Sequence, residues 1–304
     1  MSMSRTPSFP TEAEAVTPTI DTHHHFWKTA AQAQPWRNPN HQVLAQDYGP
    51  EQLRHELRNA GVDGTVLVQS VDEPAENDRL AAYAANNFVM GVVAWLPLAD
   101  PPSAYRELDR INSTKVCGVR ELVADDPLEW LTNRATVNLF KEVAHRGLVW
   151  DVVPVTPEQV VAILKLSAAV PELKIVIDHL GRPRVDSQGW EPWAGQIREL
   201  ADSPAIAVKV SVGMNVLEAW NSWRGSDLLP YVEWAAQHFG PSRLMLASNW
   251  PVVLLKASYQ DAWRDLTANV RKVLPSQEAQ NQVNGGTATH WYGLAIWPHC
   301  KTGP

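Results

Sequence analysis

Lys174-Ile175-Val176-Ile177-Asp178-His179 is a short apolar run that closes on two residues capable of acid–base or ligand chemistry. A continuous aliphatic run, without polar alternation, suits a strand covered on both faces, as in a parallel sheet flanked by helices. Seven other stretches read the same way. Pro18 to His25 closes on Asp21-Thr22-His23-His24-His25, and Thr65-Val66-Leu67-Val68 closes on Gln69. Phe88 to Trp95 is less polar at its end, whereas Lys115 to Leu122 carries Arg120 and Glu121, and Leu148-Val149-Trp150 leads into Asp151. Ala205 to Ser211 holds Lys209 and Ser211, and Arg243 to Asn249 runs on into Trp250-Pro251.

Between these runs the apolar spacing becomes helical. Leu228, Leu229, Val232, Ala235, Ala236 and Phe239 share one face, with Pro230 in a first turn and Gly240-Pro241 as the stop. Thr156-Pro157-Glu158 starts another helix, in which Thr156 can cap free backbone N–H groups and Val160, Ile163, Leu164 and Leu166 form the inward stripe. Further helices are expected over 51–60, 76–86, 103–111, 138–146 and 188–201. Strand and helix therefore alternate, which predicts an α/β fold: a single (β/α)8 barrel domain over 18–294, between a disordered tail at 1–17 and a C-terminal tail at 295–304. Such a barrel gathers the C-terminal ends of its strands on one face, so the polar strand ends should form the active site.

The 304 residues are 45% hydrophobic, enough for one large core. A net charge of −7 and a pI near 5.8 leave no basic footprint for nucleic acid or anionic lipid. The expected partner is a small-molecule substrate and the expected setting cytoplasmic; the oligomeric state is left open. Residues 1–16 are rich in Ser, Thr, Pro and Glu and lack the apolar segment of a signal peptide or membrane anchor. The two cysteines, Cys117 and Cys300, read as free thiols.

On an extended strand the side chains of residues i and i+2 share a face, so Asp21, His23 and His25 should point one way and Thr22 and His24 the other. Two imidazoles in one pocket can bind a divalent metal or hydrogen-bond a substrate oxygen directly. Arg120, at a strand end, should meet a substrate anion or carbonyl, or else pair with Glu121 or Asp151. Lys209 could bind substrate or pair with Asp178, and Gln69 could bind sugar hydroxyls or satisfy a neighbouring loop. Fourteen Trp exceed the combined five Phe and six Tyr. Most should fill the helix–barrel interface, while Trp27, Trp36 and Trp250 are candidates for pocket walls that stack on a sugar. His41, His55, His145, His238, His290 and His299 are read as bystanders.

Taken in order, Ile20-Asp21-Thr22-His23-His24-His25-Phe26-Trp27, Gly118-Val119-Arg120, Ile177-Asp178-His179-Leu180-Gly181-Arg182-Pro183, Val208-Lys209-Val210-Ser211 and Ser248-Asn249-Trp250-Pro251 resemble the sugar-lactonase branch of the amidohydrolase superfamily. That branch includes L-fuconolactonases and L-rhamnonolactonases and, more distantly, 2-pyrone-4,6-dicarboxylate lactonase. The resemblance implies a distorted TIM barrel that hydrolyses the ester bond of a cyclic sugar acid. It also implies His23 and His25 as first-strand polar ligands, Arg120 as a carboxylate or carbonyl binder, and His179 as a site histidine.

One position departs from that pattern. The family places aspartate where this chain has Asn249, and the aspartate is the residue expected to accept a proton from the attacking water and to ligate a metal in metal-dependent members. An amide has no basic lone pair at working pH, so catalysis should be impaired. An engineered, substrate-trapping substitution and natural divergence both account for it. Asp151 stands where many zinc-dependent members have histidine. The resemblance therefore implies no obligatory metal, with zinc or another divalent ion possible at His23 and His25. Two other readings stay open: a non-catalytic binder of a cyclic ester, and a decarboxylase of the same superfamily.

Overall fold

The computed structural model describes residues 17–111 and 115–295. Residues 1–16 of the expected N-terminal tail, most of the C-terminal one and Cys300 lie outside the described residues, whereas Cys117 is a buried free thiol. The chain builds β1 (Ile20–His24), α1 (Pro50–Ala60), β2 (Gly64–Val68), α2 (Pro74–Tyr83), β3 (Val89–Trp95), α3 (Pro101–Arg110), β4 (Val116–Arg120) and α4 (Arg134–His145). It continues with β5 (Val149–Val152), α5 (Pro157–Ala169), β6 (Ile175–Ile177), α6 (Trp193–Ala201), β7 (Ile206–Val210), α7 (Met214–Ala219), α8 (Leu229–Phe239) and β8 (Leu244–Leu246). Three helices follow: α9 (Tyr259–Val273), α10 (Gln277–Asn281) and α11 (Thr287–Tyr292), the last two joined by a π-helical turn over Gln282–Gly286.

Eight parallel strands run in the order β1 to β8. The ring closes where the Asn249 amide donates to the His23 carbonyl at 2.8 Å and the His25 amide donates to the Trp250 carbonyl at 2.8 Å. This is the distorted TIM barrel the sequence predicts. The closure ties the first and last strands together at the two motifs that carry the histidines and Asn249.

Helix starts follow local chemistry. Proline opens α1, α2, α3 and α5, where its missing N–H costs no hydrogen bond; α1, α2 and α3 thus begin slightly earlier than expected, and α5 begins at Pro157 as expected. Thr156 Oγ1 accepts from the Gln159 amide at 3.3 Å, and Gln159 Oε1 accepts in return from the Thr156 amide at 3.2 Å. The helix expected from residue 188 starts instead at Trp193, because Pro192 disfavours helical backbone in the residue before it.

The barrel interior is packed from Ile20, Val66, Val68, Val93, Val149, Val176, Ala207 and Met245, inward residues of the strands. From the N-terminal end of the barrel α11 adds Ala288, Trp291 and Tyr292. α11 thus covers the interior from below.

Candidate active site

A cavity of about 370 Å³ opens on the C-terminal rim of the barrel, lined by His25 and Trp36 after β1, Arg120 after β4, His179 and Arg182 after β6, and Asn249 after β8. Residues spread over more than two hundred positions meet there because every strand delivers its C-terminal end to the same face.

The tautomers of the two β1 histidines follow from their partners. His25 Nδ1 lies 2.8 Å from the Val68 carbonyl oxygen, which can only accept, so Nδ1 carries the proton and Nε2 a lone pair. His23 Nδ1 lies 3.1 Å from Asp178 Oδ1. Burial pushes the Asp178 carboxyl up, but Lys209, His23 and Arg120 together outweigh it and hold it well below the usual carboxylate range. Asp178 is therefore an acceptor, and the His23 proton is also on Nδ1. The two Nε2 atoms, 3.2 Å apart, consequently turn lone pairs toward each other. Burial holds both imidazoles neutral, assisted at His25 by the nearby Arg120.

Two lone pairs this close call for a shared electrophile. Arg120 Nη1 donates to His23 Nε2 at 3.3 Å, which meets part of the demand. Two nitrogens bound to one tetrahedral zinc stand roughly 3.3 Å apart, so the pair also has the spacing of two ligands on one divalent ion. Asn249 adds an oxygen: its Nδ2 donates to the Val212 carbonyl at 2.9 Å, and its buried Oδ1 has no hydrogen-bond partner among the described residues. His23, Asp178 and His179 also bring one ligand atom each within 4.8 Å of one another, though Asp178 already answers two cations. The donor set can therefore hold zinc or another divalent metal.

Beneath the cavity lies a buried charge network. Arg120 Nη1 pairs with Asp178 Oδ2 at 2.9 Å, and its Nε donates to Gln69 Oε1 at 3.0 Å. Lys209 bonds Asp151 and lies 3.0 Å from Asp178 Oδ1, while the Tyr292 hydroxyl donates to Asp151 at 2.9 Å. Asp151 is pushed up to about 6, burial outweighing Lys209. His179 Nδ1 meets Ser211 Oγ at 2.8 Å, and burial lowers its imidazole to about 3.

Several residues read from the sequence as site candidates stand elsewhere. Arg120 pairs with Asp178, not with Glu121 or Asp151. Gln69 is fully buried and spends its amide on Arg120 and Asp72, so it orients the guanidinium and does not reach the cavity. Lys209 is fully buried between its two carboxylates. Trp27 lies in the core with its Nε1 donating to the Gln46 carbonyl, and Trp250 packs on Phe26 and Tyr48; of the three tryptophans proposed as walls, Trp36 lines the cavity. Asp21 leaves the histidine face because the β1–β2 register shifts between Asp21 and His24; it accepts from Ser248 and Tyr259 instead.

The sequence reading assigned no role to Arg182. Its backbone belongs to a left-handed turn in which His179, Leu180, Gly181 and Arg182 all have φ between 52° and 64°. Left-handed backbone costs roughly 1–2 kcal/mol per non-glycine residue, so a run of it at a strand end marks a turn held for a purpose. The Trp193 indole fixes that turn by donating to the Leu180 carbonyl at 2.6 Å. The only sequence signal for Arg182 is its place three residues beyond His179.

Comparison with known proteins agrees with this architecture. An L-fucono-1,5-lactonase from Burkholderia ambifaria is 32% identical over 90% of this chain and 95% of its own length. A second L-fucono-1,5-lactonase, from Burkholderia multivorans, is 30% identical over 90% of this chain and 96% of its own. A crystal structure of an amidohydrolase from Burkholderia multivorans with bound zinc superposes with a TM-score of 0.83 at 28% identity, covering 91% of this chain and all of that one. The amidohydrolase family model matches residues 20–294, from the first strand to just past α11, and the chain belongs to that family.

Proposed function

We propose that this protein is a hydrolase that opens a sugar-acid lactone by attack of water on the ring carbonyl. The observation that carries the reading is the pair of neutral imidazoles, His25 on the cavity wall and the fully buried His23 behind it, whose Nε2 lone pairs face each other beside the Arg120 guanidinium. The two lactonase relatives, matched over nine-tenths of the chain, supply the substrate class.

In this reading a water is oriented by the free Oδ1 of Asn249 and by His25 Nε2. As it adds to the carbonyl carbon and the carbonyl π bond breaks, it passes a proton to His25 Nε2, the same proton the ring oxygen later takes up, while Arg120 and His179 stabilise the charge that develops on the carbonyl oxygen. When the intermediate collapses, the bond from carbonyl carbon to ring oxygen breaks, the ring oxygen takes up a proton, and an open-chain hydroxy acid leaves. A divalent metal held by His23, His25 and Asn249 would polarise the carbonyl and acidify bound water.

Position 249 sets the rate. His25 is kept neutral by burial beside Arg120, which also makes it a weak base, and an amide cannot take a proton at all. Asn249→Asp should therefore raise the rate of aldonolactone opening by about 10²- to 10⁴-fold, the usual contribution of a placed general base. L-Fucono- and L-rhamnonolactone are the first substrates to assay. No gain with any lactone would remove position 249 from the mechanism and favour a protein that binds a cyclic ester without turning it over.

A further inference from the structure

Arg182 lines the same cavity, two strands around the rim from Arg120, and its electrostatics differ from those of Arg120. Arg120 is answered by Asp178 and Gln69. Arg182 has no such contact: among the described residues its Nε, shut off from solvent, has no hydrogen-bond partner and no carboxylate forms an ion pair with its guanidinium, Asp178 and Glu218 acting on it only from a distance. Its stem lies against Gly213 beside His179, where a Cβ on the glycine would come within 3.4 Å of Arg182 Cγ, so the head is directed by packing as well as by the left-handed turn.

Burial and the charge of Arg120 lower Arg182 to about 10, which still leaves it cationic at neutral pH. A fixed, unpaired guanidinium at a cavity wall is costly unless a ligand supplies the anion. Hydroxyls of a neutral sugar lactone would satisfy its N–H groups but not its charge; a carboxylate matches both through a two-point contact. The cavity carboxyls Glu121 and Asp125 lie on the segment after β4, and Glu121 spends Oε2 on the Leu98 and Ala99 amides.

We infer that Arg182 recognises a carboxylate remote from the reacting carbonyl, so that the lactone this enzyme prefers is that of a dicarboxylic sugar acid. This narrows the substrate class and rests on the lactonase reading above. Arg182 determines specificity and takes no part in bond making.

The test compares D-glucaro-1,4-lactone, which carries a free carboxylate, with D-glucono-1,4-lactone, which does not. The assays use the native enzyme, Asn249→Asp, and each of these with Arg182→Met or Arg182→Lys. The expected result is at least a tenfold higher kcat/KM for the glucarolactone. Arg182→Met should lose that preference by about a hundredfold, mainly through KM, with less than a threefold change on the gluconolactone; Arg182→Lys should restore part of it. An equal effect of Arg182→Met on both lactones, or none on either, would overturn the inference. Should neither lactone be opened by the native or the Asn249→Asp enzyme, the lactonase reading fails while calorimetry still tests Arg182. D-Glucarate should then bind the native protein at least tenfold tighter than D-gluconate, with the difference lost in Arg182→Met, and equal binding of the two acids would overturn the assignment.

Discussion

Lys209 carries its ammonium into the barrel axis between Asp151 and Asp178, fully buried and 5.5 Å from the centre of the Tyr292 ring. Removing one member of a buried ionic cluster leaves charges uncompensated, so Lys209→Met should lower the unfolding free energy by about 3–5 kcal/mol. Denaturant titration would read that loss; unchanged stability with a raised KM would instead make Lys209 a substrate contact. The sequence left these two roles open because strand alternation gives the face of a side chain and not the partner across the barrel. The same gap explains Gln69, whose amide is consumed by Arg120 from a strand two places away, and Trp27, whose indole is consumed by a loop carbonyl. What was legible was chemistry repeated at fixed spacing, as in His23 and His25. Arg182 was not legible, because nothing in the sequence tells a cation that will be paired from one that will not.

The π-helical turn between α10 and α11 is an element with little sequence signature beyond Gly285-Gly286. Its reason is local: a Cβ built on Gly285 would lie 1.8 Å from the Pro18 carbonyl oxygen, just ahead of β1. The glycine lets the C-terminal helices press on the floor of the barrel and send Tyr292 up to Asp151. Gly285→Ala must move backbone on one side or the other and should cost about 1–3 kcal/mol, the range for an overpacked core. A melting temperature equal to that of the native protein would show that the floor yields freely. By contrast the start of α5 was readable, because a capping threonine followed by a first-turn proline announces a helix in chemistry confined to adjacent residues.

Across the whole molecule, the polar barrel interior sets how stability depends on pH. Burial lowers the pKa of His23, His24, His25 and His179, the second and fourth to about 3. An unfolded histidine titrates near 6.5, so below that pH the unfolded chain binds protons the fold refuses, and stability falls with falling pH. By pH 5 each such histidine withdraws about 2 kcal/mol. Asp21 and Asp151 act with the opposite sign: burial raises each to about 6, so between there and 3.8 the fold takes up protons and regains stability as pH falls. By pH 5 each returns only about 1 kcal/mol; burial also raises Glu121, to about 7, and Asp72 and Glu76, which act in the same direction, and the four histidines, at about 8 kcal/mol together, outweigh them. Asp178 lies below its ordinary range, so its contribution is lost only when pH drops through that lower value. Urea unfolding should therefore show a midpoint that declines from pH 7.5 to pH 5. A midpoint that stays level or rises over that interval would mean that the four imidazoles take up protons within the fold, and the lone-pair geometry at His23 and His25 would have to be abandoned with them.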